Sequence, residues 1–257
     1  MKTVINKKSI LDKYLKELHL PGIRKYYEDF IGMAIKESLS YEEFFLGLLE
    51  KESEERTNNR IARLLKESKL QLEKKLDNFD LNRLPSKVVH QVKSLLEGRF
   101  VDRCENVLAF GNPGSGKTHL LCAIGQELVR QSRRVLFSTC STMVQELLIA
   151  KRELKLPKKL KKLSKYDAII IDDIGYVQQN REEMEVLFTL LADRYERSSI
   201  MITSNLPFSK WEKIFKDPMV TAAAIDRLVH HSVILELNIE SYRMVAAKKG
   251  RKNQEMV

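Results

Sequence analysis

Features that mark membrane, secreted or zinc proteins are scarce in this sequence. No apolar run approaches the ~18–20 residues that a membrane-spanning helix needs, and residues 1–8 hold no apolar core of signal-peptide length. The three cysteines form no Cys-x-x-Cys pair, and their odd number argues against a disulfide framework. The adjacent histidines, His230 and His231, have no cysteine near them. We therefore expect a protein of the reducing cytoplasm with no membrane partner, no disulfides and no zinc site.

Acidic residues are also in deficit. The chain has 45 Lys and Arg against 35 Asp and Glu, which gives a net charge of +10. Such a surplus favours a polyanionic partner, most often nucleic acid; the alternative is a basic protein without such a partner. With 257 residues, 43% of them hydrophobic, the chain is long enough for a sizeable core in one large domain or two smaller ones.

The most specific pattern is the glycine-rich sequence GNPGSGKT at residues 111–118. The apolar run 106–110 before it reads as a buried strand, and a helical pattern follows, which is the context of a phosphate-binding loop. Glycines let backbone N–H groups approach an anion, and the helix N-terminus adds its dipole. Lys117 supplies a charge for the β- and γ-phosphates, and Thr118 offers a hydroxyl to Mg²⁺. The predicted ATP-binding residues are Gly111, Asn112, Pro113, Gly114, Ser115, Gly116, Lys117, Thr118 and His119.

Two carboxylates follow a second buried strand. Residues 168–171 are apolar, as in the central strands of parallel sheets, and Asp172 and Asp173 come directly after them, where ligands bind in open α/β sheets. Asp172 is predicted to hold Mg²⁺, and Asp173 to orient and deprotonate the attacking water. A later buried strand, 199–205, has a polar end at Asn205, which is predicted to hydrogen-bond the lytic water or the γ-phosphate.

A dense basic segment, residues 151–165, lies between two predicted strands. Its eight basic residues and one acidic residue give +7, most of the surplus charge of the chain. A charge run is usually a solvated face, but the density and position of this one favour contact with nucleic acid. A second basic stripe, within residues 56–69, fits two interpretations equally well: a helix that binds nucleic acid or a partner, and a solvated face paired with nearby glutamates. The predicted DNA-binding residues are Lys151, Arg152, Lys155, Lys158, Lys159, Lys161, Lys162 and Lys165.

The chain is predicted to have four parts. Helical stripes and a capping box at Ser40 and Glu43 indicate an all-helical N-terminal domain for partner or DNA binding. Turn formers then indicate a linker, and residues 99–101 occupy the place where an adenine ring often lies. The expected fold class is α/β, with a parallel sheet between helices. The predicted limits are 1–76 for the N-terminal domain, 77–98 for a linker and helix, 99–247 for the ATPase domain and 248–257 for a basic tail.

The order of these motifs resembles that of AAA+ ATPases, and within them the DnaC/IstB branch, close to the DnaA-type initiators. The chain is most similar to the IstB-like helper ATPases of insertion-sequence transposition. The similarity rests on GKTH at 116–119, on the Asp-Asp pair before Ile174-Gly175, on DRLVHH at 226–231 and on ESYR at 240–243. It covers nearly the whole chain.

The resemblance implies further roles. Asp172 and Asp173 become the Walker B pair, Asn205 becomes sensor 1, and Arg227 becomes the arginine finger that reaches the γ-phosphate of a neighbouring subunit. Arg243 is a candidate for sensor 2. AAA+ proteins commonly end Walker B with Asp-Glu, so the shorter Asp173 implies slow hydrolysis. No C-terminal lid is expected.

The same resemblance implies a biological role. In this branch an insertion before the Walker B strand contacts DNA, and residues 151–165 match its position. The expected protein is a bacterial cytoplasmic ATPase that uses ATP and Mg²⁺ and forms an ATP-bridged oligomer on duplex DNA. It would assist the transposase encoded by the same element in selecting or remodelling target DNA.

Three alternatives remain from sequence. A DnaC-like replicative helicase loader would share the fold and differ in the partner chosen by the N-terminal domain. A P-loop small-molecule kinase would need an acceptor pocket and an arginine-bearing lid, which residues 151–165 could imitate, but it leaves Asn205 and Arg227 unexplained. A pure adaptor would bind ATP without turning it over.

Overall fold

The computed structural model describes residues 7–174, 181–211 and 218–242. The chain divides into two compact units, residues 1–63 and 64–257. This division falls inside one long helix, α3, Tyr41–Ser68. The domain limits expected at residues 76, 98 and 247 stay predictions.

The first unit is helical, as expected. It contains α1, Lys7–Glu17, and α2, Pro21–Glu37, and α3 begins in it. The capping box is confirmed: the Ser40 N–H donates to the Glu43 carboxylate at 2.8 Å, and the Glu43 N–H donates to Ser40 Oγ at 3.2 Å. Its small core holds the four buried side chains Leu15, Ile23, Tyr27 and Leu48.

Glu52 is the buried charge of this unit. Its Oε2 accepts hydrogen bonds from the N–H groups of Gly22 at 2.7 Å and Ile23 at 3.0 Å, at the start of α2. Its Oε1 accepts from Arg56 Nε at 2.6 Å, and Arg56 also donates to the carbonyl of His19 at 2.8 Å. Because no side chain at the N-cap of α2 makes a capping bond, Glu52 satisfies amides that the helix leaves unpaired. Arg56, predicted as part of a basic stripe, therefore has a structural partner.

The second unit is built on a parallel sheet. Its strands lie in the order β2-β3-β4-β1-β5, and each neighbouring pair is parallel. The carboxyl ends of all five therefore meet at one edge, which confirms the α/β expectation. The strands are β1, Asn106–Gly111, β2, Val135–Thr139, β3, Ala168–Asp172, β4, Ser199–Ser204, and β5, Ser232–Leu237.

Helices cover both faces of the sheet because the central strands are apolar on both sides. Ile169 and Ile171 of β3 join the core cluster formed with helices α7, Cys140–Arg152, and α9, Arg181–Arg194, whereas Ile170, between them, lies next to Gly125 of α6, Lys117–Arg130. No described helix is long and apolar enough to cross a membrane. The described helices of this unit are α4, Ser86–Leu96, α5, Arg99–Asp102, α6, Lys117–Arg130, α7, Cys140–Arg152, α8, Leu156–Leu163, α9, Arg181–Arg194, and α10, Pro218–Val229.

Candidate active site

The glycine-rich loop joins β1 to α6, and two of its positions require glycine. Gly114 and Gly116 have φ of 81° and 93°, in the left-handed region. A Cβ on Gly116 would lie 2.6 Å from a ring carbon of Phe79, and one on Gly114 would lie 2.1 Å from Ser241 Oγ. The Lys117 ammonium group is held within the loop, where it donates to the carbonyls of Gly111 at 2.8 Å and of Asn112 at 3.0 Å.

The loop borders a cavity of about 460 Å³. Eight of the residues predicted to act on ATP meet there, from the loop, from the start of α6 and from the ends of β3 and β4. Four lining residues were not among the predicted site residues. The cavity is lined by Lys74, Asn78, Phe79, Pro113, Gly114, Gly116, Lys117, Thr118, His119, Asp173, Asn205 and Tyr242.

A hydrogen-bond network joins the loop helix to the ends of β3 and β4. Asp172 Oδ1 accepts from Thr118 Oγ1 at 2.8 Å and from Thr203 Oγ1 at 2.7 Å. Thr203 Oγ1 in turn accepts from the N–H of Asp173 at 2.8 Å. The two residues predicted to hold Mg²⁺, Thr118 and Asp172, are thus in direct contact. Sequence reasoning did not assign a role to Thr203, which is fully buried and links both aspartates.

One non-glycine residue with a positive φ and two buried polar atoms without partners lie in the glycine-rich loop or directly after β3 and β4. Asp173 has φ of 60°, an uncommon conformation for a residue other than glycine, and such outliers cluster at functional sites. Asn205 Oδ1 and Ser115 Oγ are buried, and neither has a hydrogen-bond partner among the described residues. A buried polar atom without a partner costs about 1–3 kcal/mol. These atoms, together with the Thr118–Asp172 pair and the Lys117 ammonium, form a donor and acceptor set that fits a magnesium-bound triphosphate.

Aromatic rings line another part of the cavity. The ring centroids of Phe79 and His119 are 5.3 Å apart, and those of Phe79 and Tyr242 are 5.7 Å apart. His119 Nε2 is hydrogen-bonded to the carbonyl of Lys75 at 2.7 Å, which fixes its ring. Residues 99–101 do not line this cavity, and Phe100 is buried elsewhere in the unit.

Tyr242 fastens the segment after β5 to the loop. Its N–H donates to the carbonyl of Gly114 at 3.0 Å, and its hydroxyl donates to the carbonyl of Asp80 at 3.1 Å. The guanidinium of Arg83 lies 3.7 Å from the centroid of its ring. Burial raises the pKa of the Tyr242 phenol despite the nearby Arg83 cation, so the ring remains neutral at physiological pH.

Arg227 lies on α10 and does not line the cavity beside the glycine-rich loop of its own chain, which we call the nucleotide cavity after its predicted ligand. Its guanidinium carbon is 4.8 Å from the centroid of the Phe188 ring, and its Nη1 is buried with no hydrogen-bond partner among the described residues. Its action on a neighbouring subunit stays a prediction. The predicted sensor 2 candidate, Arg243, and the basic tail lie outside the described residues.

The predicted DNA-binding residues fall into two groups. Helix α8 packs Leu156, Leu160 and Leu163 against the core and leaves its lysines outside. We call Lys158, Lys161, Lys162 and Lys165 the exposed lysine group; none has an acidic partner within 4.0 Å in the described parts of the chain. The other four are ion-paired: Lys151 with Glu185 at 2.8 Å, Arg152 with Glu182 at 3.4 Å, Lys155 with Glu153 at 2.8 Å, and Lys159 with Glu146.

The fold and the cavity define the class of the protein, a P-loop ATPase with the AAA+ fold. Among solved structures, the DnaC helicase loader matches with a TM-score of 0.55 over 65% of this chain and 97% of that chain. Its sequence is 16% identical, so this likeness supports the fold alone.

Sequence relatives identify the family. Residues 13–250 match the model of the IstB-like ATP binding proteins. An insertion-sequence ATP-binding protein of Sinorhizobium fredii is 41% identical over 93% of this chain and 81% of its own length. The ATP-binding protein of insertion sequence IS5376 from Geobacillus stearothermophilus is 38% identical over 92% of this chain and 94% of its own length. The chain belongs to the IstB-like ATP-binding protein family, which confirms the resemblance and the ATPase class inferred from sequence.

Proposed function

We propose that this chain hydrolyses ATP in the cavity beside the glycine-rich loop and uses the ATP cycle to assemble on duplex DNA and assist the transposase of its insertion sequence. The observation that carries the catalytic part is the buried Oδ1 of Asn205, which lacks a partner among the described residues and borders the same cavity as Asp173. An acceptor placed there suits a water molecule that donates one hydrogen bond to Asn205 Oδ1 and another to the Asp173 carboxylate. The alternative contact of Asn205, with the γ-phosphate, would use its amide N–H.

The remaining residues of the cavity have distinct tasks. Lys117 exchanges its bonds to loop carbonyls for phosphate oxygens, and the loop amides bind the same oxygens. Thr118 and Asp172 would hold Mg²⁺, which neutralises charge on the triphosphate. Asp173 accepts the proton of the attacking water; because its side chain is shorter than a glutamate, the proton transfer is expected to be slow.

The base-binding part of the proposal rests on the aromatic rings of Phe79 and Tyr242. Both rings line the cavity, and stacking on aromatic faces recognises a flat base. The hydrogen bond from the Tyr242 N–H to the loop carbonyl of Gly114 holds this ring beside the loop, which supports binding of the base and the triphosphate in one cavity.

DNA contact is proposed for the exposed lysine group. Its four side chains lie on or directly after one helix, and none is paired with a described acid, so all four are available to phosphates. The ion-paired Lys151, Arg152 and Lys155 would first have to break bonds to glutamates. No residue of 151–165 lines the nucleotide cavity, which disfavours the kinase alternative, in which this segment would close over the phosphates.

A transposase partner is proposed from the insertion-sequence relatives, and the first unit offers a surface for it. Leu18, Ile35, Phe45 and Leu46 are large hydrophobic residues whose exposed fractions are 66%, 77%, 59% and 58%. These side chains are available for contact with a partner, and contiguous exposed apolar patches are typical of surfaces that bind proteins. Capture of a replicative helicase in place of the transposase would favour the loader alternative.

The first test is ATP hydrolysis by the purified chain, with and without duplex DNA, while light scattering reports assembly. We expect assembly that requires both ATP and DNA, and turnover that DNA stimulates. Lys117→Ala should weaken ATP binding by about 10- to 100-fold, because it removes a charge-assisted contact, while Lys87→Ala, an exposed lysine on α4, should leave it unchanged. A monomeric protein with turnover indifferent to DNA would contradict the proposal.

The DNA surface has its own matched test. Replacing all four residues of the exposed lysine group with alanine should make the plot of log affinity against log salt concentration shallower. The magnitude of its negative slope should fall by about 3 to 4, since each contact with duplex DNA contributes about 0.9. The control replaces the ion-paired Lys151, Arg152 and Lys155 with alanine and should change the slope by less than about 1. A slope in the lysine-group variant that equals the slope of the parent chain would show that the segment is a solvated face.

A further inference from the structure

Three potential metal ligands meet outside the nucleotide cavity. One ligand atom from each of Glu196, His230 and His231 lies within 4.8 Å of the other two, and all three residues are exposed. Glu196 follows the end of α9, and the two histidines follow the end of α10. The cluster therefore brings together the C-terminal ends of two helices that are distant in sequence.

The His230 ring is oriented as in known metal sites. Its Nδ1 is hydrogen-bonded to the Tyr195 hydroxyl at 3.1 Å, which leaves Nε2 for a metal. A ligating histidine almost always binds a second partner through its other ring nitrogen. The backbone N–H of His230 donates to the carbonyl of Asp226 at 3.0 Å, and its ring centroid lies 4.1 Å from that of His231.

The Glu196 carboxylate is held near the histidines by a turn. Glu196 has φ of 57°, and the N–H groups of Arg197 and Ser198 both donate to the carbonyl of Arg194, at 3.0 and 3.2 Å. No Lys or Arg of the described residues lies within 4.0 Å of this carboxylate. Arg197 is instead directed to Asp193, at 3.9 Å.

We propose that Glu196, His230 and His231 bind one divalent transition-metal ion, with Zn²⁺ the best fit. Two imidazoles and a carboxylate are an established zinc ligand set, which leaves a fourth position for water. The sequence argued against zinc because no cysteine lies near the two histidines. The third ligand is a carboxylate 34 positions before His230, and only the fold brings it close.

An ion at this site would tie the end of α9 to the end of α10. Arg227 lies on α10 three residues before His230, and its guanidinium packs on Phe188 of α9. The ion would therefore hold the two helices in the register that positions Arg227. Binding itself does not depend on the proposed ATPase cycle, so it is measurable on the chain without nucleotide.

The test is titration of the full-length chain with Co²⁺ and Zn²⁺, with Mg²⁺ in excess and nucleotide absent. We expect one ion per chain, a visible Co²⁺ absorption band of low-coordinate geometry, and displacement of Co²⁺ by Zn²⁺. Glu196→Gln and His231→Asn should each weaken affinity by about tenfold or more. His90→Asn, at an exposed histidine on α4, is the matched control and should change nothing. Absence of saturable binding, or equal affinity in all three variants, would overturn the proposal.

Tyr195 is assigned as a positioning residue for this site. Tyr195→Phe removes the hydroxyl that orients His230, so it should weaken Zn²⁺ binding by about 10-fold while one ion still binds. Zn²⁺ should raise the melting temperature of the parent chain but not that of Glu196→Gln. An equal rise in both would show that the stabilising ion binds elsewhere and would overturn the assignment.

Discussion

Glu52 in the first unit and Asn205 in the second unit carry buried polar atoms that differ in their hydrogen bonding. In the first unit the Glu52 carboxylate accepts three hydrogen bonds, and both of its oxygens are satisfied. In the second unit Asn205 Oδ1 and Ser115 Oγ are buried beside the nucleotide cavity without partners among the described residues. A satisfied buried charge fixes a fold, whereas an unsatisfied polar atom costs stability that a ligand restores. The contrast distinguishes Glu52, which stabilises the first unit, from Asn205, which is proposed to act on the nucleotide.

The largest effect should come from Arg227, whose Nη1 is also buried without a partner among the described residues. Arg227→Ala should reduce turnover of the assembled protein by about 10³-fold, the lower end of the effect of arginine fingers, while ATP binding is retained. Single-turnover hydrolysis on saturating DNA measures this. The matched control is Arg197→Ala.

Survival of turnover in Arg227→Ala, with its loss in Arg197→Ala, would place the finger at Arg197. Arg194 is excluded from this role by its environment. Its guanidinium is buried and donates to the backbone carbonyls of Leu163 at 3.1 Å and Ser199 at 2.9 Å, among others. Burial lowers the pKa of Arg194 to about 10, which still leaves it charged at physiological pH.

Asn205→Ala tests the contrast directly. Turnover should fall by about 10²-fold, as for the loss of one preorganised polar contact in other active sites. The free energy of unfolding should not fall, because the amide oxygen has no partner among the described residues. Thr203→Val should instead lower both turnover and stability, since the Thr203 hydroxyl bonds Asp172 and Asp173. A marked loss of stability in Asn205→Ala would contradict the distinction.

The aromatic part of the cavity should give a smaller effect. Phe79→Ala and Tyr242→Ala should each weaken ATP binding by about 2- to 10-fold, the range expected for one aromatic contact. Inorganic tripolyphosphate is the control ligand, because it has no base, and its affinity should stay unchanged. Equal losses for ATP and tripolyphosphate would show that these rings act only by supporting the loop.

The sequence predicted the site residues that belong to short, continuous motifs. The loop, the Asp172–Asp173 pair and the position of Asn205 are read from consecutive residues and from strands that end at one sheet edge, and the structure brings them together. Phe79 and Tyr242 were not predicted as site residues, because they meet the loop through contacts between segments far apart in the chain.

The sequence also did not predict which charged residues form ion pairs. The eight basic residues of 151–165 are equivalent by composition, yet half of them bind glutamates, and in three of these pairs the glutamate lies in another part of the chain, as Glu146 and Glu185 do. The same reason explains why Glu196 was not associated with His230 and His231. Sequence patterns thus predict sites formed by residues that are close in the chain. They do not predict sites formed by residues that come from separate helices.

Glu52→Gln tests the first unit in the comparison with the second, and we expect its effect to be the smallest of those predicted. It should lower the stability of the first unit by about 1–2 kcal/mol, typical of a lost helix cap, while turnover of ATP stays unchanged. Burial alone raises the pKa of the Glu52 carboxyl, but the hydrogen bonds from Arg56, Ile23 and Gly22 outweigh it and hold the pKa below its ordinary value of 4.5. The stabilisation is therefore present above pH 4.5 and is lost as the pH falls through the lower value of the folded chain.

Hydrogen exchange of the Gly22 and Ile23 amides in the full-length chain checks this prediction. Their protection factors should be higher in the parent chain than in Glu52→Gln at pH 7, and the difference should shrink once Glu52 is protonated, because neither side chain is then an anion. Glu50→Gln, two positions away on α3, is the matched control and should leave the protection of both amides unchanged. A difference between parent and variant that is as large below pH 4 as at pH 7 would show that the packing of Glu52, rather than its charge, holds the start of α2.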